Sequence, residues 1–531
     1  MEPSLPHPAP PPAHRGRRPG RRHALAASLT AGVLAATGLL ALGPTSQAAT
    51  ARQAEKLDRG VVSVHTDRGN LVSRRWLGTD PDTVAFNVHR AGTKVNSSPV
   101  TASANYVHAD APATADYTVR AVVNGVEQAD SAHAVQFRAG YKDVPISPPA
   151  GGTTPDGATY TYEADDASVG DLDGDGALDL VLKWQPTNAK DNSQPGYTGN
   201  TVLDGVTLDG TRADRFLART AYLDGSRSSL ITARGYYTRS VAAWDWRNGA
   251  FTRRRTFDTN SSTNTGRGYD GQGNHQLSVA DVDGDGKDEI VYGAMAVDDN
   301  GSALWTTRNG HGDAMHVGDL DPSRPGLEKF KVDEDGAKPS SWMADARTGQ
   351  ILWSTPAAGD NGRGVSGDIR AGSPGAESWS SAVSGVRDPK GTVVSGRKPS
   401  STNFLAWWDG DTTRELLDGT RIDKYGPSGD TRQLTAASVH SDNGTKATPA
   451  LSGDILGDWR AEVVWPTTNN TALRIYSTPY ETGTKITTLL HDTMYRTALA
   501  WQNTACNQPP HPSFAIGDGA PTAPRPAVTT P

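Results

Sequence analysis

Clustered aspartates in two glycine-containing stretches are the residues of this sequence that point most directly to chemistry. "DLDGDGALD" (171–179) has acidic side chains at its first, third, fifth and ninth positions, and "DVDGDGKDE" (281–289) repeats that spacing. Carboxylate oxygens at these positions of a tight turn converge on one point, which suits Ca²⁺. We therefore predict two Ca²⁺ sites. Their ligands are Asp171, Asp173, Asp175 and Asp179 in the first and Asp281, Asp283, Asp285 and Glu289 in the second.

Three further stretches carry partial forms of the same spacing. Each begins with a Gly-Asp pair and has a second acidic residue ahead of a β-type run. They could hold a cation as well, or they could be Asx turns whose carboxylates are solvated. The flanking residues are typical of strands rather than helices, so an EF-hand sensor is excluded. The candidate ligands are Asp319, Asp321 and Glu328, then Asp368 and Glu377, and finally Asp454, Asp458 and Glu462.

Histidines and basic residues near these turns form a second candidate set. His275, His311 and Asp313 combine imidazole and carboxylate, a pair that suits a metal which also meets substrate. A single histidine can equally be held by structural hydrogen bonds. Arg363 and Lys446 lie in glycine-containing stretches, where they could clamp an anion or remain solvated surface charges.

The spacing of the acidic turns indicates the elements that position them. Their leading aspartates are 110, 38, 49 and 86 residues apart. The shorter spacings are typical of one four-stranded blade, and the longer ones of about two blades. We therefore predict an all-β fold in which residues 158–518 form a calcium-stabilised β-propeller, with room for about seven blades.

The two ends of the chain differ from these repeats. Residues 1–49 have an arginine-rich start, an apolar run and a small-residue exit, which predicts a cleaved signal peptide; the alternative is a membrane span. Short alternating strands over residues 51–146 predict a fibronectin type III-like β-sandwich. The proline-rich tail, 519–531, is predicted to be disordered.

The net charge and the cysteine content limit which partners and which stabilising bonds the protein can have. The formal net charge is −7, and loss of the arginine-rich signal makes it more negative, which excludes nucleic acid as a partner. Cys506 is the single cysteine, so no internal disulfide can form, and bound metal would have to stabilise an exported chain instead. We expect a secreted monomer that has no membrane contact after signal cleavage.

Long strings of the sequence resemble polysaccharide lyase family 11, the secreted bacterial rhamnogalacturonan lyases. They include "LKWQPTNAKDNSQPGYTGN", "GHGDAMHVGDLDPSRPGLE" and "DNGTKATPALSGDILGDWRAEVVW". The resemblance implies an eight-bladed propeller with several bound Ca²⁺ ions. It also implies eliminative cleavage of the rhamnose–galacturonate bond in rhamnogalacturonan I, the pectin backbone. The Ca²⁺ ligands that it implies near the cleft are His275, His311, Asp313 and Glu334.

The chemistry implied by the resemblance is calcium-assisted β-elimination. A cation on the galacturonate carboxylate would stabilise the enolate-like intermediate that forms when the C5 proton leaves. Arg363 and Lys446 would face the galacturonate, with Lys446 as the base, although the two could exchange roles. The residues that would line the sugar site are Asn443, Gly444 and Thr445.

The sequence departs from the family pattern at three sugar-site positions and in one segment. Asp165 stands where the family usually has Asn, Gln185 where it has Asp, and Cys506 where it has Tyr. After "TLDGTR" (207–212) the chain lacks about two of the eight blades that the resemblance implies.

Two functions stay open for this sequence. One is an active lyase on rhamnogalacturonan I or a related acidic polysaccharide. The other is a non-catalytic, calcium-dependent propeller that binds acidic polysaccharide, which the three changed positions and the missing segment favour. An adhesion propeller like that of integrins would share the acidic turns but would not explain "DNGTKATPALSGD".

Overall fold

The computed structural model describes residues 51–190, 194–203, 206–207, 216–234, 240–503 and 508–530. This part of the chain consists almost entirely of β-strands and turns, so the predicted all-β class is confirmed. Within it, no helix is long and apolar enough to cross a membrane. The predicted signal peptide and Cys506 lie outside the described residues.

Two four-stranded sheets near the N-terminus share one hydrophobic core. Val72 from one sheet packs with Val88, Tyr117 and Val119 from the other. Two sheets that face each other over a common core form a sandwich. The strands, in order across each sheet, are Asn105–Ala109, Gly69–Ser73, Val62–Thr66 and Val135–Phe137 in the first, and Thr93–Lys94, Ala85–Arg90, Tyr117–Val123 and Val126–Asp130 in the second.

Six four-stranded antiparallel sheets follow, each with its strands paired in chain order. We label them A to F. Sheet A contains Tyr162–Gly170, Asp179–Pro186, Val202–Leu203 and Val206–Thr207; sheet B contains Phe216–Ala221, Ser229–Arg234, Ser240–Arg247 and Ala250–Asp258; sheet C contains Leu277–Ala280, Glu289–Tyr292, Met295–Val297 and Ala303–Thr306; sheet D contains Met315–Gly318, Glu328–Val332, Ser341–Asp345 and Ile351–Ser354; sheet E contains Gly364–Gly367, Glu377–Ser380, Val386–Arg387 and Val393–Ser395; sheet F contains Phe404–Ala406, Glu415–Asp418, Arg421–Lys424 and Thr431–Thr435.

A seventh sheet, G, draws its strands from two distant parts of the chain. Leu451–Gly453, Glu462–Pro466 and Ala472–Tyr476 pair in order, and Tyr141–Pro145 is added to the last of them. The strand that precedes sheet A therefore completes sheet G. The predicted sandwich, which extends to residue 146, includes this strand, but its backbone pairs with sheet G instead.

The first strands of the sheets lie side by side along most of the series. Those of sheets B to E contact their neighbours in turn, and the first strand of sheet A contacts that of sheet G. The helix Thr493–Ala500 contacts the first strands of sheets A, B and C. Asp492 caps this helix, because its side chain accepts a hydrogen bond from the amide of Tyr495 at 2.8 Å.

The remaining elements are short, and one of them involves the tail for which disorder was predicted. Val528–Thr529 pairs in parallel with Arg52–Gln53, and Arg525 Nε donates to the carbonyl of Gly78 at 3.0 Å. A proline-rich segment can still add an extended strand to a free edge, which composition alone does not reveal. The other elements are the hairpin of Gly152–Thr153 and Thr159–Tyr160, and the 3-10 helices Gly444–Lys446 and Leu489–His491.

Candidate metal centre and active site

Four predicted ligands meet at one end of sheets C and D. Three of them immediately precede the first strand of a sheet, and the fourth follows the second strand of sheet D. In an antiparallel pair, the start of one strand and the end of the next lie at the same edge. One ligand atom from each of the four lies within 4.8 Å of the others. These residues, called the ligand cluster from here on, are His275, His311, Asp313 and Glu334.

The contacts within the ligand cluster fit a divalent cation. His311 Nδ1 lies 2.8 Å from the carbonyl oxygen of Gly273, so Nδ1 carries the proton and the Nε2 lone pair faces Glu334 Oε1 at 3.4 Å. His275 Nε2 lies 3.2 Å from Asp313 Oδ1. Lone pairs that face each other at these distances are stabilised by a cation between them. Imidazole nitrogens are also donors that transition ions use readily.

Burial makes it more costly to keep the carboxylates of Asp313 and Glu334 charged. It acts against the charged form of Asp313, but the positive charges of His275 and Lys446 outweigh it and hold the pKa of Asp313 below its ordinary value. Burial and the neighbouring charge of Asp313 raise the pKa of Glu334 to about 7. A bound cation would remove the repulsion between the two carboxylates.

The two predicted catalytic residues lie against this cluster. Lys446 Nζ is 3.7 Å from Asp313 Oδ2, and Arg363 lines the same small pocket as Asp313 and Lys446. Arg363 Nη1 donates to Asn403 Oδ1 at 2.5 Å, and Asn403 Nδ2 donates to Asp418 Oδ1 at 2.5 Å. Asn403 was not predicted. Like Arg363, it immediately precedes the first strand of a sheet, and that position is the signal that could have identified it.

The segment that carries Lys446 has an unusual backbone. Asn443, Gly444 and Ala447 have φ values of 60°, 56° and 48°, in the left-handed region. A non-glycine residue held there costs of order 1–3 kcal/mol, and such strain is common at functional sites. Asn443 Nδ2 donates to Asp166 Oδ1 at 3.0 Å, which fixes the segment against sheet A. The side chain of Thr445 is outside the described part.

Sheet A presents a second acidic cluster beside Asn443. Asp165 and Asp166 form it with Asp442, and a bulge between Ala164 and Ala167 places the first two side by side. Lys183 Nζ is 2.6 Å from Asp165 Oδ2 and 3.3 Å from Asp166 Oδ2. The predicted sugar contact Asp165 is thus paired with lysine, while Asp166, Asp442 and Lys183 were missed. Two adjacent aspartates inside the strand-like stretch "YEADDAS" were the available signal.

Gln185, also predicted as a sugar contact, is exposed on the second strand of sheet A opposite Glu163. Strand register places it on the same sheet as Asp165. Cys506 lies outside the described residues, so its predicted role stays a prediction.

The acidic turns lie at the opposite end of the sheets, between the first and second strands. In sheet C, the amide of Val282 donates to Glu289 Oε2 at 2.9 Å, and burial raises the pKa of Glu289 to about 8. A buried carboxylate oxygen that lacks a hydrogen-bond donor is costly unless a cation compensates it. Among the described residues, such oxygens include Glu289 Oε1, Asp319 Oδ1, Glu377 Oε1 and Asp454 Oδ1.

The two complete turns group their carboxylates as predicted, with small differences. In sheet A, Asp171, Asp173 and Asp179 have oxygens within 4.8 Å of one another, whereas Asp175 Oδ1 accepts from the amide of Ala177 at 2.8 Å. Gly174 and Gly176 adopt φ values of 83° and 90°, which the tight turn requires. In sheet C, the groups are Asp281, Asp283 and Asp285, and Asp285, Glu289 and Asp299, the last of which was missed.

Arginines engage two ligands of the partial turns. Both oxygens of Asp458 accept from Arg460, at 2.9 and 2.8 Å, so this predicted ligand faces a guanidinium. In sheet D, Arg324 Nε donates to Glu328 Oε1 at 3.3 Å. In sheet E, the amide of Asp518 donates to Asp368 Oδ2 at 3.1 Å.

Comparison with known proteins places this geometry in a family. The C-terminal domain of rhamnogalacturonan lyase family 11 matches residues 141–213 and 210–526, and the β-sheet domain of rhamnogalacturonan I lyases matches residues 52–137. The rhamnogalacturonan endolyase YesW of Bacillus subtilis (strain 168) is 44% identical in an alignment of 594 positions that covers 92% of this chain and 95% of YesW. The chain belongs to rhamnogalacturonan lyase family 11.

Other members of family 11 are similar to a comparable degree. The rhamnogalacturonan exolyase YesX of the same organism is 41% identical in an alignment of 598 positions that covers 90% of this chain and 97% of YesX. The crystal structure of YesW superposes with a TM-score of 0.87 at 43% identity and covers 91% of this chain and 100% of that one. For the family 11 lyase of Bacillus licheniformis, the TM-score is 0.86 at 44% identity, with the same two coverages.

The alignments with the relatives contain positions that this family 11 chain lacks. The two matched segments of the C-terminal domain meet at residues 210–213, and the alignments with YesW and YesX extend over 594 and 598 positions, more than the 531 residues of this chain. This is the place where the sequence predicted a missing segment. A cavity of about 790 Å³ lies between sheets A and B, with Asp166, Lys183 and Arg496 in its wall.

Proposed function

We propose that this chain is a rhamnogalacturonan lyase that cleaves the rhamnose–galacturonate bond of rhamnogalacturonan I by calcium-assisted β-elimination. The observation that carries the proposal is the convergence of the ligand cluster with Arg363 and Lys446. Two imidazoles, two carboxylates and two basic side chains at one end of the sheets suit a substrate that bears a carboxylate beside an acidic C–H bond.

We assign different roles to Arg363 and Lys446 because their side chains have different surroundings. Arg363 stays protonated and is oriented by Asn403, so it provides a fixed positive partner for the uronate carboxylate. Lys446 has a flexible side chain whose nitrogen lies beside the ligand cluster, 3.7 Å from Asp313 Oδ2, and we assign it the removal of the C5 proton. A divalent cation held by the ligand cluster would neutralise the carboxylate and stabilise the charge that develops on it.

We further propose that sheets A to G are the blades of a β-propeller. The support is the four-stranded pairing of each sheet, in chain order in sheets A to F, and the contact of sheet A with sheet G. The described residues contain seven such sheets, whereas eight blades with about two lost would leave six. The N-terminal pair of sheets would be the fibronectin type III-like sandwich.

The acidic turns are proposed to hold several structural Ca²⁺ ions. The buried, unpartnered carboxylate oxygens in sheets C, D, E and G support this assignment. With a single cysteine in the chain, such ions would take the part that disulfides have in other secreted proteins. We expect the mature protein to be a secreted monomer that acts on acidic polysaccharide.

A second function is favoured by one observation. Asp165, at a position implied to contact sugar, is paired with Lys183 at 2.6 Å. A sugar would have to compete with this lysine for hydrogen bonds to the carboxylate. The chain would then be a non-catalytic, calcium-dependent propeller that binds acidic polysaccharide without cleaving it.

Activity and binding together separate the two functions. Purified protein is incubated with rhamnogalacturonan I and Ca²⁺, and unsaturated uronate is followed by its ultraviolet absorbance. The lyase releases product, and Lys446→Ala slows release about 10²- to 10⁴-fold, the usual contribution of a general base. The exposed Lys142→Ala is the matched control. Folded wild-type protein that binds the polysaccharide but releases no unsaturated product would select the second function.

A further inference from the structure

Sheet F has an acidic turn that the sequence pattern did not reveal. The turn joins its first two strands, as the acidic turns of sheets A, C, D, E and G do, and it carries Asp409, Asp411 and Glu415. The amides of Trp408 and Asp409 donate to Glu415 Oε2 at 2.7 and 3.3 Å. Val282 donates to Glu289 Oε2 in the same manner in sheet C. The turn of sheet F therefore has the architecture of the others.

A positive group occupies the centre of this turn. Lys424 Nζ lies 2.9 Å from Asp409 Oδ2 and 2.9 Å from Asp411 Oδ1. It is also 2.7 Å from Thr413 Oγ1 and 2.6 Å from Glu415 Oε1. These distances are those of charge-assisted hydrogen bonds to an ammonium. The Glu415 side chain is fully buried, with 0% exposed, so a compensating charge beside it matters.

The position of Lys424 in the sheet explains how its side chain reaches the centre of this turn. Asp423 pairs with Leu416, which sets Lys424 opposite the closing residue Glu415. In sheet D, the residue opposite Glu328 is Asp345. In sheet G, Ser477 lies at this position and donates to Glu462 Oε1 at 2.9 Å. An acid or a serine at this position brings no positive charge to the turn, whereas a lysine supplies its own cation.

We propose that the turn of sheet F is a divalent-cation site in which the Lys424 ammonium replaces the metal ion. An ammonium offers three donors and one positive charge, which are shared here among oxygens of three carboxylates and one hydroxyl. Removal of its side chain leaves Asp409, Asp411, Thr413 and Glu415 as an oxygen-only set, the kind that a hard ion such as Ca²⁺ takes. The inference rests on the proposed function only in that the acidic turns of the other sheets are taken to hold Ca²⁺.

Counting bound ions tests the proposal directly. Lys424→Ser copies the residue that sheet G has at this position, and wild-type and variant proteins are dialysed against Ca²⁺ and analysed by atomic emission. The variant is expected to bind one more Ca²⁺ per chain than the wild type. Lys142→Ser, on the exposed face of the outer strand of sheet G, should match the wild type. Adding Glu415→Gln to Lys424→Ser should abolish the gain. An unchanged count in folded Lys424→Ser overturns the proposal.

A measurement on the wild-type protein covers the case in which Lys424→Ser does not fold. Crystals grown with Tb³⁺ are expected to show no anomalous peak within the turn of sheet F, and a peak there overturns the proposal. The calcium scaffold of the proposed function and the replacement by Lys424 can be contradicted independently. A wild-type protein without Ca²⁺ in any turn would contradict the calcium scaffold of the proposed function, whereas the gain of one ion in Lys424→Ser would still support the replacement in sheet F.

Discussion

At the scale of single residues, Asp313 links the candidate metal centre to the candidate base. One of its oxygens faces His275 Nε2 at 3.2 Å, and the other faces Lys446 Nζ at 3.7 Å. Gly362 packs over it so closely that an added Cβ would lie 3.2 Å from Asp313 Oδ2. The carboxylate therefore holds Lys446 next to the ligand cluster, and the glycine lets the Arg363 segment approach it.

Asn403 is expected to act as a positioning residue for Arg363. In Asn403→Ala, the guanidinium loses the 2.5 Å hydrogen bond that orients it, while its charge remains. We expect kcat/KM for rhamnogalacturonan I to fall about tenfold, which corresponds to about 1.4 kcal/mol and to one hydrogen bond to a charged group. Asn300→Ala, in an exposed turn, is the control. Unchanged kinetics of Asn403→Ala would show that Arg363 needs no such support.

Glu289→Gln should change stability in opposite directions with and without Ca²⁺. With Ca²⁺, the amide removes a charged ligand, and we expect a loss of about 1–3 kcal/mol in the free energy of unfolding. With a chelator, the buried and unpartnered Glu289 Oε1 is a cost that glutamine relieves, so the variant should equal or exceed the wild type. Melting curves under both conditions provide the measurement, with the exposed Glu163→Gln as control. A loss of the same size in both conditions would argue against an ion there.

At the scale of the elements, the two ends of each sheet have separate tasks. The acidic turns lie between first and second strands, while Arg363, Asn403 and the ligand cluster lie at the opposite ends of these strands. Ions in the turns would therefore stabilise the sheets without touching the substrate. The C-terminal segment crosses this turn end, since the amides of Ala515 and Asp518 donate to Asp319 and Asp368 at 3.1 Å.

The docking of this segment should make stability depend on pH. His511 Nε2 lies 2.9 Å from His316 Nδ1, and burial, with the charge of Arg414 nearby, lowers the pKa of His316 to about 3. The folded state therefore binds fewer protons than the unfolded state between pH 3 and 6.5, and stability falls as pH falls through this window. At pH 5 the loss from His316 is about 2 kcal/mol.

Urea unfolding at pH 7 and pH 5, with saturating Ca²⁺, measures this loss. His316→Gln should show a smaller difference between the two pH values than the wild type, because it cannot take up the proton. His133→Gln changes an imidazole whose side chain is 74% exposed and should behave as the wild type. Equal pH dependence in all three proteins would contradict the prediction.

At the scale of the whole molecule, sequence separation decided what could be predicted. The turns of sheets A and C follow from spacing within nine residues, because their ligands are neighbours in the chain. The ligand cluster needed the family resemblance, since spacing alone left each histidine ambiguous. Contacts such as Asn443 with Asp166, 277 residues apart, and Arg474 with Asp143, 331 apart, have no local signature. The closing strand of sheet G and the tail strand Val528–Thr529 were missed for the same reason.

The closure of sheet G by Tyr141–Pro145 gives the last prediction. Val144 pairs with Leu473 in this strand, and proline at position 144 removes a backbone donor from the ladder. We expect Val144→Pro to lose about 2 kcal/mol, the cost of an unmade backbone hydrogen bond in a partly buried ladder. The freed edge of Ala472–Tyr476 should also promote association of chains. Urea unfolding and light scattering measure the two effects, and Ser147→Pro, exposed and just beyond the strand, is the control. If both variants stay as stable and as monodisperse as the wild type, the strand Tyr141–Pro145 is not needed to complete sheet G.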